Sequence, residues 1–575
     1  MSEAFRLYGT LEPPVSSEYV TTGQLSFTLE EGALRHIRVG GIEIIRCIVF
    51  LVRDRDWGTL TPRLRLISRQ RDGSNCSLHL EAEFEITTAK LVVSIFIEAA
   101  QDKLIMRAEG VPSGAFETNR AGFTVLHPAK LAGYPVLVTH SNGTIEASTF
   151  PSLIDPWQPF KDIKAIKHSA DGLDVNCAFT GDTFEMEDQR QWGDASYKTY
   201  VRPLALPWPY ILCQSQPLVQ SVSIDWNKTR KGQPKAISTS IQGEPLFPET
   251  AILLAPKDCI RLIKHPEDIR QVSPQRLLCN LDATTGAIVE YFEAYAKLQA
   301  AMPNFLYDLE LVCGFENTPA LELVQLRAEM DAVGFRPDSV MLCPAVDRIS
   351  TPPGSDWPKC PPLEEIHSAS ANAFGDLVRG GGMVTFFPEL NRKRPPLDKL
   401  DFVSHSLCPI VHAADDHSVM ETLEVIPHII RSARAIIGEA DYRIGPSTIA
   451  MRHNPYGQRT FPNQDLNRLC MADNDPRHHA AFGAAYVIGL ATALADSGVT
   501  VWTPSELYGP RGLSGPITKA ISLLASCAGK PVHRATIRND QAELVVGTRQ
   551  ITANLTSQRF EGLEPFEFKT STDQF

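Results

Sequence analysis

A chain of 575 residues is too long for one hydrophobic core, so two or three domains are expected. The composition is globular, 43% hydrophobic and 21% charged, and a net charge of −12 argues against nucleic acid or an anionic membrane surface as partner. The opening MSEAFRLYGTLEPP lacks the basic and apolar regions of a signal peptide, and no run reaches the roughly 20 apolar residues of a membrane helix.

Residues from about 22 to 240 read as all-β. Leu25, Phe27 and Leu29 alternate with polar residues before a turn at Gly32, and Leu78, Leu80, Ala82, Phe84 and Ile86 alternate without a fault. That period places one face on a core and the other towards water. Leu91–Glu98, Lys103–Glu109, Gly122–Leu126 and Leu173–Phe179 are further strand candidates, separated by turn residues. Many short strands without helices suggest a large β-sandwich.

Phe184–Tyr200, FEMEDQRQWGDASYKTY, breaks this rhythm with the densest mix of charge, amide and aromatic in the chain. It does not read as an ordinary strand. We expect it to leave the sandwich and approach the catalytic mouth of the following domain. The alternative is a polar hairpin whose carboxylates and Arg190 pair with each other. Pro203–Tyr210 is too rich in proline for a central strand and reads as an extended surface segment.

Gly243, Pro245 and Pro248 read as a linker. Beyond it, eight short apolar runs alternate with helical periodicity: Thr250–Ala255, Arg276–Leu281, Leu306–Cys313, Ser339–Val346, Met383–Glu389, Phe402–Val411, Arg443–Met451 and Val499–Thr503. Ala287–Ala300 carries a helical pattern. Thr318-Pro319 opens a helix that stops at Gly334, Ser418-x-x-Glu421 is a capping-box pattern for a helix to Gly438 kinked at Pro427, and Asp475-Pro476 opens a helix through Asp496. The stretch between the first two runs lacks a clear helix. Eight buried strands alternating with helices over roughly 260 residues predict a (β/α)8 barrel. No GxGxxG supports an open doubly wound sheet instead. A helix at Ser514–Cys527 and strands at His533–Arg538 and Gln541–Val546 close the chain.

The predicted architecture is therefore multidomain β plus α/β. A β-sandwich over 1–244 carries the 184–200 segment, a catalytic TIM-like (β/α)8 barrel spans 245–513, and a C-terminal helix with a small β-appendage spans 514–575. The twelve cysteines include no CxxC pair, and Cys47, Cys279, Cys313, Cys343 and Cys408 sit in apolar runs. They read as buried free thiols, which points to the cytoplasm and disfavours a zinc ribbon.

Barrel chemistry is sought after each predicted strand. Strand four ends at Asp347-Arg348, strand five at Glu389, Asn391 and Arg392, and strand six at His412, Asp415 and Asp416. Strand seven ends at Arg452, His453 and Asn454, and strand eight at Glu506 and Tyr508. Glu389 is the candidate general base for water, set against simple pairing with Arg392 or Arg394. Glu506 or Asp188 is the candidate acid or second carboxylate. Arg452, His412 and Lys198 are candidate donors to an oxyanion or to hydroxyls, with Arg452 as half of a salt bridge the alternative. Trp192 and Tyr200 are candidates for an apolar wall, and Glu187, Arg190, Asn391 and Asn454 complete the predicted binding set. A divalent metal at His412, Asp415 and Asp416 matches no firm ligand spacing and is disfavoured, so no cofactor is predicted. His478-His479 is expected to be solvated. No GxSxG, HExxH or P-loop is present.

FEMEDQRQWGDASYKTYVRPLALPWPY, FFPELNRKRPP, CPIVHAADDHSVMETLE, FPSLIDPWQPFKDI (Phe150–Ile163) and GFTVLHP (Gly122–Pro128) resemble the bacterial D-apionate lactonases, and the likeness runs from about residue 20 past 510. The resemblance implies hydrolysis of the lactone of D-apionate, a branched sugar acid, in apiose catabolism. It carries over no catalytic residue. The partner it implies is a small sugar lactone, and oligomeric state is not readable from the sequence. A glycoside hydrolase with two barrel carboxylates is the main rival, and a non-catalytic carbohydrate-binding protein the second.

Overall fold

The computed structural model describes residues 2–55, 57–229, 244–457 and 459–572. Gly243, in the expected linker, lies outside the described residues. The chain divides into two compact units. The described residues of Pro14–Arg190 and Ala195–Ser238 form one; those of Met1–Pro13, Gln191–Asp194 and Thr239–Phe575 form the other. No described helix is long and apolar enough to cross a membrane.

In the first unit a single antiparallel sheet of sixteen strands runs from Ser17–Thr22 at one edge to Arg63–Asp72 at the other. Alternation drives it. In Asn75–Ile86 every second residue from Cys76 to Phe84 is buried, so one face lies on the core. The sheet doubles back on itself. Phe50 and Phe84 sit on strands far apart in sheet order, yet their ring centroids are 6.2 Å apart. Glu18 and Arg69, on the two edge strands, form an ion pair. The result is a sandwich whose two layers share one hydrogen-bonded sheet and one apolar core. The Phe184–Tyr200 segment departs from expectation, because it contains strand Phe184–Glu187 and most of strand Ser196–Val201, paired antiparallel. Only the 3-10 turn Gln189–Trp192 and the residues after it leave the ladder.

In the second unit eight parallel strands close a barrel in chain order: β1 (Glu249–Leu254), β2 (Arg276–Asp282), β3 (Leu306–Cys313), β4 (Ser339–Pro344), β5 (Val378–Phe386), β6 (Phe402–Leu407), β7 (Asp441–Ser447) and β8 (Val499–Glu506). Buried residues fill nearly the whole of β3 through β7, as a sheet covered on both faces requires. β5 starts five residues earlier than the apolar pattern suggests, because Gly380–Gly382 follow its first two residues. A Cβ at Gly380 would lie 2.2 Å from the Phe402 ring, and one at Gly382 would lie 2.1 Å from the Ser404 carbonyl oxygen. Glycine lets β6 approach closely and hides the strand from a search for apolar residues.

Helix Pro319–Val333 follows Thr318 and ends on Gly334 at φ 80°, as its cap residues predict. The predicted continuous helix from Ser418 is instead split. Asp415 caps helix Asp416–Glu421 by accepting from the Ser418 N–H, and a new helix, Ile426–Ile437, begins with Pro427 in its first turn. The Asp475-Pro476 helix likewise divides into a 3-10 turn, Pro476–His479, and helix Ala481–Leu494. Short helices Cys259–Lys264 and Glu267–Arg270 fill the stretch after β1. The tail makes a four-stranded sheet, not a two-stranded one. The N-terminal helix Glu3–Tyr8 groups with this unit and not with the sandwich, because Tyr8 packs its ring on Phe482 and Phe566.

Candidate active site

The C-terminal strand ends gather charge in pairs. After β5, helix Phe387–Arg392 opens with Pro388 and turns Glu389 and Asn391 inward, each 3% exposed. Ser350 Oγ donates to Glu389 Oε1, and Arg392 Nη1 approaches the same oxygen at 3.2 Å. Arg392 also donates to Ser350 Oγ and to the Thr351 carbonyl, both at 3.1 Å, and reaches Gln191 Oε1 at 3.5 Å. Burial is the largest influence on Glu389 and lifts its carboxyl above the ordinary value, against the opposing pull of Ser350 and Arg392. Asp347, past β4, is buried and receives Lys393 Nζ on both oxygens at 2.9 and 3.1 Å. Burial lifts this carboxyl too. The sequence reading does not single out Lys393, which lies beyond the apolar run.

Past β7, Arg452 grips Glu310 of β3 with both Nη atoms, and Asn280 of β2 donates to the same carboxylate at 2.7 Å. The salt bridge set against a donor role for Arg452 is thus present. Glu310 faces the barrel interior from mid-strand, where a search restricted to strand ends does not look. Glu506 is held by Arg511, Nε to Oε1 at 2.7 Å and Nη2 to Oε2 at 3.3 Å. Arg348 pairs with Asp282 at the end of β2. Burial, then Arg452, Arg348 and Arg511, hold the His453 imidazole well below its ordinary value, and its Nε2 has no hydrogen-bond partner among the described residues. Asn454 shapes its own loop, donating to the Arg459 carbonyl and accepting from the Tyr456 N–H.

Past β6, His412 Nδ1 lies 2.7 Å from Asp194 Oδ2, and its Nε2 lies 3.3 Å from the Tyr456 hydroxyl. Trp192, 6% exposed, sets its ring across both, with centroids 5.9 Å from His412 and 5.2 Å from Tyr456. Asp194 and Tyr456 are outside the predicted set; nothing local in the sequence marks either as a partner of His412. The neighbouring aspartates serve elsewhere. Asp415 caps its helix, and Asp416 accepts from Arg468 and Arg477. Among the described residues no group of three or more His, Cys, Asp or Glu is placed to hold a metal ion. His478, expected in solvent, is buried, and burial pushes its imidazole down to about 3.

The remaining predicted residues belong to the sandwich unit and pair there. Asp188 and Arg190 have no exposed side-chain surface. Arg190 Nε and Nη2 donate to Asp188 Oδ1 and Oδ2 at 2.8 and 2.7 Å, and the Asp155 N–H adds a third bond. Both Asp188 oxygens are engaged, which gives it a structural role in place of the expected acid. Glu187 pairs with Lys198 between strands Phe184–Glu187 and Ser196–Val201, and the Tyr200 hydroxyl donates to Glu185. The Arg120 guanidinium covers the Tyr200 ring at 4.0 Å. Tyr200 is therefore a core residue of the sandwich and no open wall.

A closed parallel barrel with acid–base and guanidinium groups crowded at its C-terminal strand ends defines a (β/α)8-barrel protein of the enzymatic kind. A model of the D-apionate lactonase TIM barrel domain matches residues 250–533, and a model of the D-apionate lactonase N-terminal domain matches residues 5–229. A D-apionate lactonase from Brucella anthropi is 41% identical over 554 residues, covering 92% of this chain and 90% of that protein. The chain belongs to the D-apionate lactonase family. Among solved structures, a 4-O-alpha-L-rhamnosyl-beta-D-glucuronidase from Fusarium oxysporum 12S is 8% identical with a TM-score of 0.36, covering 54% of this chain and 78% of that one. A putative aldose 1-epimerase from Escherichia coli K12 is 8% identical with a TM-score of 0.27, covering 37% and 100%.

Proposed function

We infer that this chain hydrolyses D-apionolactone to D-apionate, a carboxylic ester hydrolysis in apiose catabolism. Identity of 41% to a D-apionate lactonase across 92% of the chain carries the reading. Ring opening needs a base for water, donors for the developing oxyanion, and a proton for the leaving alkoxide. Glu389 takes the part of base, because a carboxyl lifted by burial accepts a proton more readily than an exposed one. Its bonds to Ser350 and Arg392 aim the carboxylate. Arg452, anchored on Glu310, and the Lys393 ammonium are cationic donors at the same strand ends. Asn391 is kept as a contributor to hydroxyl recognition, and Glu506 as the candidate second carboxylate. No metal enters this reading, since Asp415 and Asp416 are already used by a helix cap and two arginines. The twelve free cysteines accord with a reducing cytoplasm.

The test supplies D-apionolactone and an aryl glycoside side by side to the purified protein. Acid release from the lactone alone is expected. Aryl alcohol released from the glycoside alone overturns the reading in favour of a glycosidase, and binding without turnover overturns it in favour of a carbohydrate-binding protein.

A further inference from the structure

Within the barrel unit, residues Gln191–Asp194 touch two polar side chains at once. Gln191 reaches Arg392, the cation on Glu389, and Asp194 bonds to His412. Three residue steps separate Gln191 from Asp194, so their backbones are at most about 10 Å apart. Glu389 and His412 thus flank one short segment.

A carboxylate accepts and never donates, so the Asp194 contact places a proton on His412 Nδ1. Nε2 is then the nitrogen that exchanges protons with a reacting group. It faces the Tyr456 hydroxyl, whose residue is 51% exposed. Trp192 packs edge-on against the ring, with centroids 5.9 Å apart. Three carboxylates of the mouth are paired with cations: Glu310 with Arg452, Asp347 with Lys393 and Glu506 with Arg511.

We propose that His412, oriented by Asp194, is the general acid that protonates the leaving ring oxygen when the lactone opens. The inference rests on the lactonase reading above. Water adds its oxygen to the carbonyl carbon while Glu389 takes one of its protons. The tetrahedral intermediate then breaks the bond to the ring oxygen, and the Nε2 proton of His412 passes to that oxygen as it leaves. Glu389 returns its proton through solvent to His412, so lactone and water give the hydroxy acid. Asp194 is a positioning residue in this scheme.

An aliphatic alkoxide needs that proton and a phenolate does not. In His412→Gln, turnover of D-apionolactone should fall by about 100-fold or more, while turnover of dihydrocoumarin, an aryl lactone, should fall by less than about 5-fold. An equal fall on both substrates identifies a mere staple for the 191–194 segment and overturns the proposal, as does no fall on either. If the wild-type protein takes no aryl lactone, Asp194 is read on D-apionolactone. Asp194→Asn should then lower kcat by about 10- to 1000-fold with KM unchanged, and Asp194→Glu should restore most of it. A rise in KM with kcat preserved, or no rescue by Glu, overturns the proposal. A wild-type protein that opens no lactone defeats the lactonase reading itself, a separate result.

Discussion

Arg452, just past β7, holds Glu310 of β3 through both guanidinium Nη atoms and so ties two distant barrel strands together. Glu310 is 1% exposed, so its charge depends on that partner. Removing one member of a buried pair leaves the other charge uncompensated, which costs about 3–5 kcal/mol. Arg452→Met should lower the urea midpoint accordingly, and the double variant with Glu310→Gln should recover a large part of the loss. An unchanged midpoint in the single variant would show that the two are not coupled.

Glu389→Gln should lower kcat for lactone opening by about 10²- to 10⁴-fold with folding intact. Near-normal turnover removes Glu389 from the mechanism. A base must be ionised, so the rate falls as pH drops through its pKa. Because burial raises that pKa, the acid limb of kcat/KM should lie above the ordinary 4.5. Ser350 favours the ionised form, and Ser350→Ala should move the limb further up. A limb that moves down contradicts the assignment.

His405 of β6 is fully buried, and its Nδ1–H donates to the Ser406 carbonyl at 2.9 Å. Its Nε2 therefore accepts from Tyr442, at 2.6 Å. Burial pushes its imidazole down to about 4 from 6.5, as it does for His367 and His168. The unfolded chain binds protons at higher pH than the folded one. The stability these residues contribute is thus present above pH 6.5 and is lost as pH falls towards about 4. The thermal midpoint should drop across that window, and His405→Gln should make the drop shallower. A midpoint flat from pH 7 to 4 is the result that would discard this account.

Prolonged dialysis against EDTA should leave lactone turnover unchanged, because Asp416 is occupied by Arg468 and Arg477 and Asp415 by its helix cap. Loss of activity restored by a divalent cation would require those contacts to be given up and would reinstate a metal mechanism.

Much of the architecture is written in short-range patterns. The barrel runs were legible because strands covered on both faces are apolar throughout, and Pro319 in the first turn and Gly334 at the end mark the limits of their helix. Position along the chain also put Glu389, His412, Arg452 and Glu506 at strand ends. The pattern failed where glycine replaces apolar bulk, at the start of β5, and where proline restarts a helix, at Pro427.

The sequence by itself determined the two large domains, the eight-strand count and the polar character of Phe184–Tyr200. Only the tertiary structure divided that segment. Asp188, Arg190, Lys198 and Tyr200 close on partners within the sandwich, whereas Gln191–Asp194 group with the barrel. Local periodicity reports which face of a strand is buried. It carries nothing about pairs such as Asp194 and His412, which stand 218 positions apart and meet only when the chain has folded.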